Sequence, residues 1–274
     1  MPGSGGTRRA AVLGHPIDHS LSPVLHRAAY AELGLSWTYD RIDLTGDALA
    51  AFLDSLDASW AGLSLTMPLK TDVLPLLDEI APVAVATGAV NTVLLGGGSR
   101  RGTNTDVDGL VAALDEQGAG RGSAVVLGAG ATARSALAAL AARGSTAVTA
   151  YVRRPAAAAD LRGTAVAVGV SLEVRPWVDA ESGLDADVVV STVPRGAADR
   201  LAAHVPTAAG TLLDVVYDPW PTPLAAAWTE RGAAVASGLD LLLHQAVRQV
   251  RLMTGRDAPL AAMRAALEAA AADR

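Results

Sequence analysis

Short apolar runs alternate along this chain with stretches whose apolar positions recur at three- and four-residue spacing, and the alternation persists from the ninth residue to the end. In the first half the pattern predicts strands over 9–13, 37–43, 62–65 and 89–95, with helices over 23–33 and 47–56 between them. Gly96-Gly97-Gly98 marks a turn, 100–103 returns as a short strand, and Asn104-Thr105-Asp106 opens a helix that runs to Gln117. From Ser123 onward the pattern is more regular. It gives a buried strand over 124–127, a helix over 131–142 closed near Gly144, a strand over 147–152, and further strands over 171–174, 188–191, 211–216 and 233–236. Two helices, 239–254 and 259–272, end the chain. Strands that alternate with helices in this way predict an α/β protein, and the later strands have the count of a dinucleotide fold.

Composition fits that picture and narrows the chemistry. The 274 residues are 51% hydrophobic and 18% charged, a globular balance, and the formal net charge of -6 disfavours nucleic acid, whose phosphates need a basic surface. No cysteine is present, which removes thiolate nucleophiles, disulfides and cysteine-ligated metals. No apolar stretch reaches the ~18 residues of a membrane span, and the first residues carry no secretory pattern, so the expected location is the cytoplasm. Lys70 is the sole lysine among basic residues that are otherwise all arginine, and the only asparagines are Asn91 and Asn104. Arginine cannot replace an amine that must exchange a proton near neutral pH, so Lys70 is a candidate general acid or base.

Gly128-Ala129-Gly130-Ala131-Thr132-Ala133 lies between a predicted strand and a predicted helix, the context in which G-x-G-x-x-A holds a pyrophosphate at a helix N-terminus. The next strand ends in Arg153-Arg154, where an NAD site usually has a carboxylate; two guanidinium groups suit the 2′-phosphate of NADP instead. In the first half, Ser20 and Ser22 flank Leu21, so an extended segment would project both hydroxyls to one side toward a carboxylate, while Ser22 before Pro23 also reads as a helix N-cap. Asp106 is either a helix cap or the carboxylate partner of Lys70. His15, His19, His26 and His244 show no metal-ligand spacing, and no metal is expected.

His19-Ser20-Leu21-Ser22-Pro23, Thr66-Met67-Pro68-Leu69-Lys70, Gly88-Ala89-Val90-Asn91-Thr92, Asn104-Thr105-Asp106 with Gly109, Tyr217-Asp218-Pro219, and Gly238 through Gln245 together resemble the successive motifs of the shikimate dehydrogenase family, in an actinobacterial-like form, over nearly the whole chain. The resemblance implies an N-terminal α/β substrate-binding and catalytic domain (1–106 plus 239–274), a Rossmann NADP-binding domain (107–238), and a cleft between them. It implies Lys70 and Asp106 at the reacting hydroxyl, Ser20 and Ser22 at the substrate carboxylate, and Thr66, Asn91, Tyr217 and Gln245 around the substrate. For the cofactor it implies Gly128, Ala129, Gly130, Ala131, Thr132, Arg153, Arg154, Val215 and Gly238. The activity implied is reversible NADPH-dependent reduction of 3-dehydroshikimate to shikimate by a monomer or homodimer, with a quinate- or aminoshikimate-using paralogue or a non-catalytic NADP sensor as alternatives. Two departures stand out. The family's usual Asn-Val-Thr is Ser64-Leu65-Thr66 here, which takes away an amide, and Ser191-Thr192-Val193 and Val152-Arg153-Arg154 replace the usual cofactor-side segments.

Overall fold

The structure, a computed structural model, describes residues 7–272, and the chain divides into two compact units. The first comprises the chain up to Val85, Ala89–Thr105 and everything from Gln245; the second comprises Ala86–Gly88 and Asp106–His244.

In the first unit β1 (Arg9–Gly14), α1 (Ser22–Glu32), β2 (Thr38–Asp43), α2 (Gly46–Asp54) and β3 (Trp60–Leu65) alternate in sequence. They are followed by the single-turn α3 (Leu69–Asp72), the two-residue β4 (Glu79–Ile80), α4 (Pro82–Thr87), β5 (Thr92–Gly96) and β6 (Ser99–Thr103). The sheet runs β2-β1-β3-β5-β6-β4; β1 is parallel to β2 and β3, and β5 is antiparallel to both of its neighbours. As the central parallel strand, β1 is buried on both faces. Ala11 and Leu13 pack with Leu63, Leu65 and Leu69 on one side, and Ala10 and Val12 pack with Tyr30 and Tyr39 on the other.

The second unit contains α5 (Asp106–Glu116), β7 (Ala124–Leu127), α6 (Ala131–Ala142), β8 (Ala147–Val152), α7 (Ala159–Val168), β9 (Ser171–Pro176), β10 (Val188–Ser191), β11 (Thr211–Asp214), α8 (Pro223–Glu230) and β12 (Val235–Ser237). All six strands are parallel, in the order β12-β11-β10-β7-β8-β9. The chain leaves β7 in one direction through β8 and β9 and returns to the other side of β7 at β10, so the strand order reverses between β7 and β10. In open α/β sheets that reversal is where a ligand crevice forms, outside the carboxyl ends of the strands. α9 (Gly238–Thr254) begins in this unit, and α10 (Leu260–Ala272) packs on α1 in the first.

Several expected elements differ. The predicted strand over 89–95 starts only at Thr92, because Gly88 turns the chain at φ +57° and residues 89–91 run on as an irregular segment. The strand expected over 211–216 stops at Asp214, whose buried carboxyl accepts from the Thr222 hydroxyl at 2.8 Å; burial raises its pKa. β4 and α4 were not predicted, being too short for a periodicity to show. The units also divide at 105/106 and 244/245 rather than 106/107 and 238/239. Asp106 opens α5, which packs on α6, and the Gly88 carbonyl accepts from Arg134 of α6 at 3.1 Å, which holds 86–88 with the second unit.

Candidate functional site

In the second unit, the C-terminal ends of β7 and β10 carry a cleft of about 390 Å³ lined by Gly128, Ala129, Gly130, Arg153, Arg154, Thr192 and Val193, among others. Gly128 follows β7 directly, with φ at +115°, a region that disfavours any side chain; a Cβ there would also sit 2.5 Å from the Thr192 Oγ1. Gly130 is extended and caps α6, and a Cβ built on it meets nothing within 4 Å, so the backbone faces open space at the helix N-terminus. Ala131 and Thr132 form the first turn of α6, whose amides point into that space, and Ala133 at the third position of the motif is fully buried against the sheet. Arg153 and Arg154 leave the end of β8 exposed on the same cleft. Bare backbone at a helix N-terminus beside two exposed guanidinium groups fits the pyrophosphate and 2′-phosphate of a dinucleotide.

Val215 and Gly238 do not line this cleft. They lie beyond β11 and β12, where the Val215 N–H donates to the Ser191 carbonyl at 3.0 Å and the Gly238 Cα packs so closely on the Val215 carbonyl that any side chain would collide. Trp177, Pro194 and Ala197 complete the wall and were not foreseen. They come from connections after β9 and β10 whose local sequence carries no cofactor pattern.

In the first unit the candidate residues gather beyond the C-terminal ends of β1 and β3. Thr66 lies one residue past β3, and its N–H still donates to the Leu13 carbonyl at 2.9 Å. Lys70 sits in α3, half-buried, and its carbonyl accepts from the Val90 N–H at 2.8 Å, which ties the lone lysine to the segment that leads to Asn91. Asn91 is buried and comes within 3.5 Å of Gln245, which reaches it from α9.

The serine segment needs correction. Leu21 lies in the helical region at φ -91° and ψ -1°, so Ser20 and Ser22 are not in an extended stretch. Nor is Ser22 the N-cap: it is the first residue of α1, and its N–H reaches the Ser20 Oγ at 3.4 Å. With its oxygen turned to that N–H, the Ser20 hydroxyl keeps its proton for another acceptor. Asp106, a buried residue at the start of α5, and Tyr217, half-buried beyond β11, belong to the second unit, Lys70 to the first.

A buried polar chain underlies Asn91. Its Oδ1 accepts from the Thr105 N–H at 2.7 Å and the Thr92 hydroxyl at 2.8 Å. The Thr92 Oγ1 accepts in turn from the Gln249 Nε2 at 2.9 Å, and the Gln249 Oε1 accepts from the Ser64 hydroxyl at 2.8 Å and from His26 at 3.1 Å. The Ser64 Oγ accepts from the Tyr39 hydroxyl at 2.6 Å. The position where the sequence lost an amide is thus a buried serine joined to the side-chain amide of Gln249.

His26 is fully buried and stacked on Tyr39 at 3.9 Å, and burial pushes its ring down to about 4 from an ordinary 6.5. The folded ring stays neutral while the unfolded chain takes up a proton below pH 6.5. Its contribution is therefore complete above pH 6.5 and is lost as pH falls toward 4, roughly 3 kcal/mol in all. Denaturant titrations at pH 7.5 and pH 4.5 are expected to show a smaller acid loss in His26→Gln than in wild type; equal losses would place the acid sensitivity elsewhere. Three further histidines each face a carboxylate: His15 meets Asp43 at 2.7 Å, His204 meets Glu181 at 3.3 Å and His244 meets Glu116 at 2.9 Å. Among the described residues no three His, Cys, Asp or Glu group as a metal ion requires, and no helix is long and apolar enough to cross a membrane.

Residues 12–93 match the model of the shikimate dehydrogenase substrate binding domain, and residues 238–268 that of the shikimate 5′-dehydrogenase C-terminal domain. The shikimate dehydrogenase (NADP(+)) of Moorella thermoacetica is 37% identical, over 94% of this chain and 91% of its own. The crystal structure of Mycobacterium tuberculosis shikimate dehydrogenase superposes with a TM-score of 0.90 at 42% identity, covering 96% of this chain and 99% of that one. A quinate dehydrogenase from Corynebacterium glutamicum in complex with NAD follows at 0.87 and 30% identity, covering 96% and 100%. With two domain models matched in chain order and relatives similar over almost the full length of both partners, this chain belongs to the shikimate dehydrogenase family.

Proposed function

We propose that this protein is an NADP-dependent shikimate dehydrogenase that interconverts 3-dehydroshikimate and shikimate. The observation that carries the reading is the arrangement in the first unit, where the chain's one lysine is tied through its backbone to the segment bearing Asn91, and Gln245 meets Asn91 from α9. A small polyhydroxylated acid offers a carboxylate at one end and ring hydroxyls at the other. Ser20 and Ser22 donate to the carboxylate, and the Asn91 and Gln245 amides, with Thr66, hold the ring hydroxyls. Lys70 gives its proton to the oxygen of the forming alcohol and takes it back in the reverse direction, and Asp106 is the second catalytic candidate. When bound along Gly128, Ala129 and Gly130, with Ala131 and Thr132 behind them, the nicotinamide cofactor supplies or accepts the hydride. Arg153 and Arg154 would hold its 2′-phosphate, and Val215 and Gly238 would contribute only through the backbone packing beyond β11 and β12. In this reading the enzyme works in the cytoplasm, as a monomer or homodimer.

A quinate- and NAD-using paralogue is the second reading, because a quinate dehydrogenase shares this fold at a TM-score of 0.87, against 0.90 for the Mycobacterium tuberculosis shikimate dehydrogenase. Quinate carries an extra hydroxyl on a tetrahedral carbon beside the carboxylate, where Ser20 and Ser22, both buried, leave it crowded and short of partners. Reduced-cofactor absorbance with shikimate or quinate and NADP or NAD, in all four pairings, separates the readings. Shikimate with NADP is expected to exceed quinate in kcat/KM by on the order of 10²-fold. Comparable efficiency on quinate would move the protein to the second reading.

A further inference from the structure

Two neighbouring parallel strands end level with each other at the cofactor cleft. Val152, the last residue of β8, pairs with Pro176, the last of β9, so the residues that follow, Arg153 and Trp177, leave the sheet side by side from strands about 5 Å apart. Both line the cleft that begins at Gly128. Of the aromatic side chains in that lining, Tyr151 is fully buried and its hydroxyl meets the Ser182 hydroxyl at 3.0 Å, whereas Trp177 is only half-buried. The indole is nonetheless held in place. It packs on the apolar cluster that contains Leu184, Ala198 and Leu201, and its backbone carbonyl accepts from the Arg200 guanidinium, whose carbon stands 5.6 Å from the ring centroid. Arg200 is not part of the cleft lining, so it does not come between the indole and the cleft. Val193, Pro194 and Ala197 line the cleft as well and bring no charge. The lining therefore divides by chemistry into bare backbone at a helix N-terminus, two guanidinium groups, and an apolar part dominated by one indole.

We infer that Trp177 is the platform on which the adenine base of the dinucleotide stacks. The inference rests on the proposed reading of this cleft as an NADP site. Covalent structure links the two: the 2′-phosphate sits on the ribose carbon next to the one that bears adenine, so a phosphate read by Arg153 brings the base within reach of the residue beside Arg153. A base presents the same π face whether or not its ribose carries a phosphate, and stacking on an indole needs no hydrogen-bond pattern. Trp177 therefore contributes to NADP and NAD alike, and the choice between them is left to Arg153 and Arg154.

Calorimetric titration of the full chain with NADP, NAD and adenosine 2′,5′-bisphosphate tests this without turnover. Trp177→Leu keeps an apolar side chain against the core and removes the π face. It is expected to weaken all three ligands by about tenfold, leaving the ratio of NADP to NAD affinity within about twofold of wild type. Trp177→Phe keeps a smaller ring and should lose only about threefold. Fluorescence gives a second readout that a purely structural role would not move. Adenosine 2′,5′-bisphosphate is expected to quench part of the tryptophan emission of the wild type by contact, and the quench should vanish in Trp177→Phe although Trp37, Trp60, Trp220 and Trp228 remain. This variant carries the test where Trp177→Leu does not fold. Unchanged affinities in Trp177→Leu, a loss confined to NADP, or a quench that is absent from the wild type or survives in Trp177→Phe would overturn the inference while binding of NADP to the wild type leaves the cofactor reading in place. A wild type that binds none of the three ligands removes the cofactor reading, and this inference with it.

Discussion

Lys70→Arg and Lys70→Ala are both expected to lower kcat by about 10²–10⁴, the usual effect of removing a general acid–base group, while the KM for shikimate stays within a few-fold. The arginine variant is the informative one. It keeps a positive charge on a side chain of similar length, so a role limited to attracting an anionic substrate would survive it. A guanidinium remains protonated throughout the working range, however, and cannot give its proton to an alkoxide and recover it in each cycle. The half-buried position of Lys70 on the single turn α3, fixed by the hydrogen bond from Val90 to its own carbonyl, leaves the backbone tolerant of either substitution. Loss of turnover should therefore come without a large loss of stability, which thermal unfolding of the three proteins would show. Because the chain has no other lysine, reductive methylation offers an independent check: activity should fall with modification of Lys70 and be protected by shikimate. Near-normal turnover in Lys70→Arg would assign the proton to another group.

The parts of the fold that were legible in the sequence are those whose physics is local. β7, α6, β8 and β10 appear with the predicted bounds, because a parallel strand buried on both faces reads as an unbroken apolar run and the glycines at 128, 130 and 144 punctuate it. The cofactor loop was legible for the same reason, as a strand, a turn and a helix start that are contiguous in sequence. What could not be read depends on contacts between distant positions. Ser22 looks like an N-cap because a serine before a proline at a helix start usually is one, yet the helix begins one residue earlier and the Ser20 Oγ takes the Ser22 N–H. Ser64 looked like a lost amide. Gln249, 185 residues away in the chain, is the amide it meets, and His26 joins the same oxygen across a separation of 223. Neither pairing leaves a mark in the spacing of either segment, and the apolar periodicity of α9 does not distinguish a buried glutamine from a surface one.

Replacing Arg153 and Arg154 together by serine is expected to lower kcat/KM for NADP by 10²-fold or more while changing that for NAD by less than about threefold. Both guanidinium groups are exposed at the carboxyl end of β8 and line the cleft that begins at Gly128, so they are free to meet a phosphate without first being stripped of buried partners. Each charge-assisted hydrogen bond to a phosphate contributes roughly 1.5–3 kcal/mol, and two such bonds amount to a factor of about 10² to 10⁴. NAD has no phosphate at that position and loses only weak long-range attraction, which salt already screens within about 10 Å. Raising the ionic strength should accordingly weaken NADP more than NAD in the wild type and act equally on both in the double variant. The adjoining walls of the cleft do not depend on these side chains: Gly128 is held by the close approach of Thr192, and the Thr192 hydroxyl is fixed to the Leu127 carbonyl at 2.8 Å. The variant should therefore keep its loop and its turnover with NAD. Equal losses for the two cofactors would show that the arginines support the cleft without reading the phosphate, and the discrimination would then have to come from the Thr192 and Val193 side, where β10 ends.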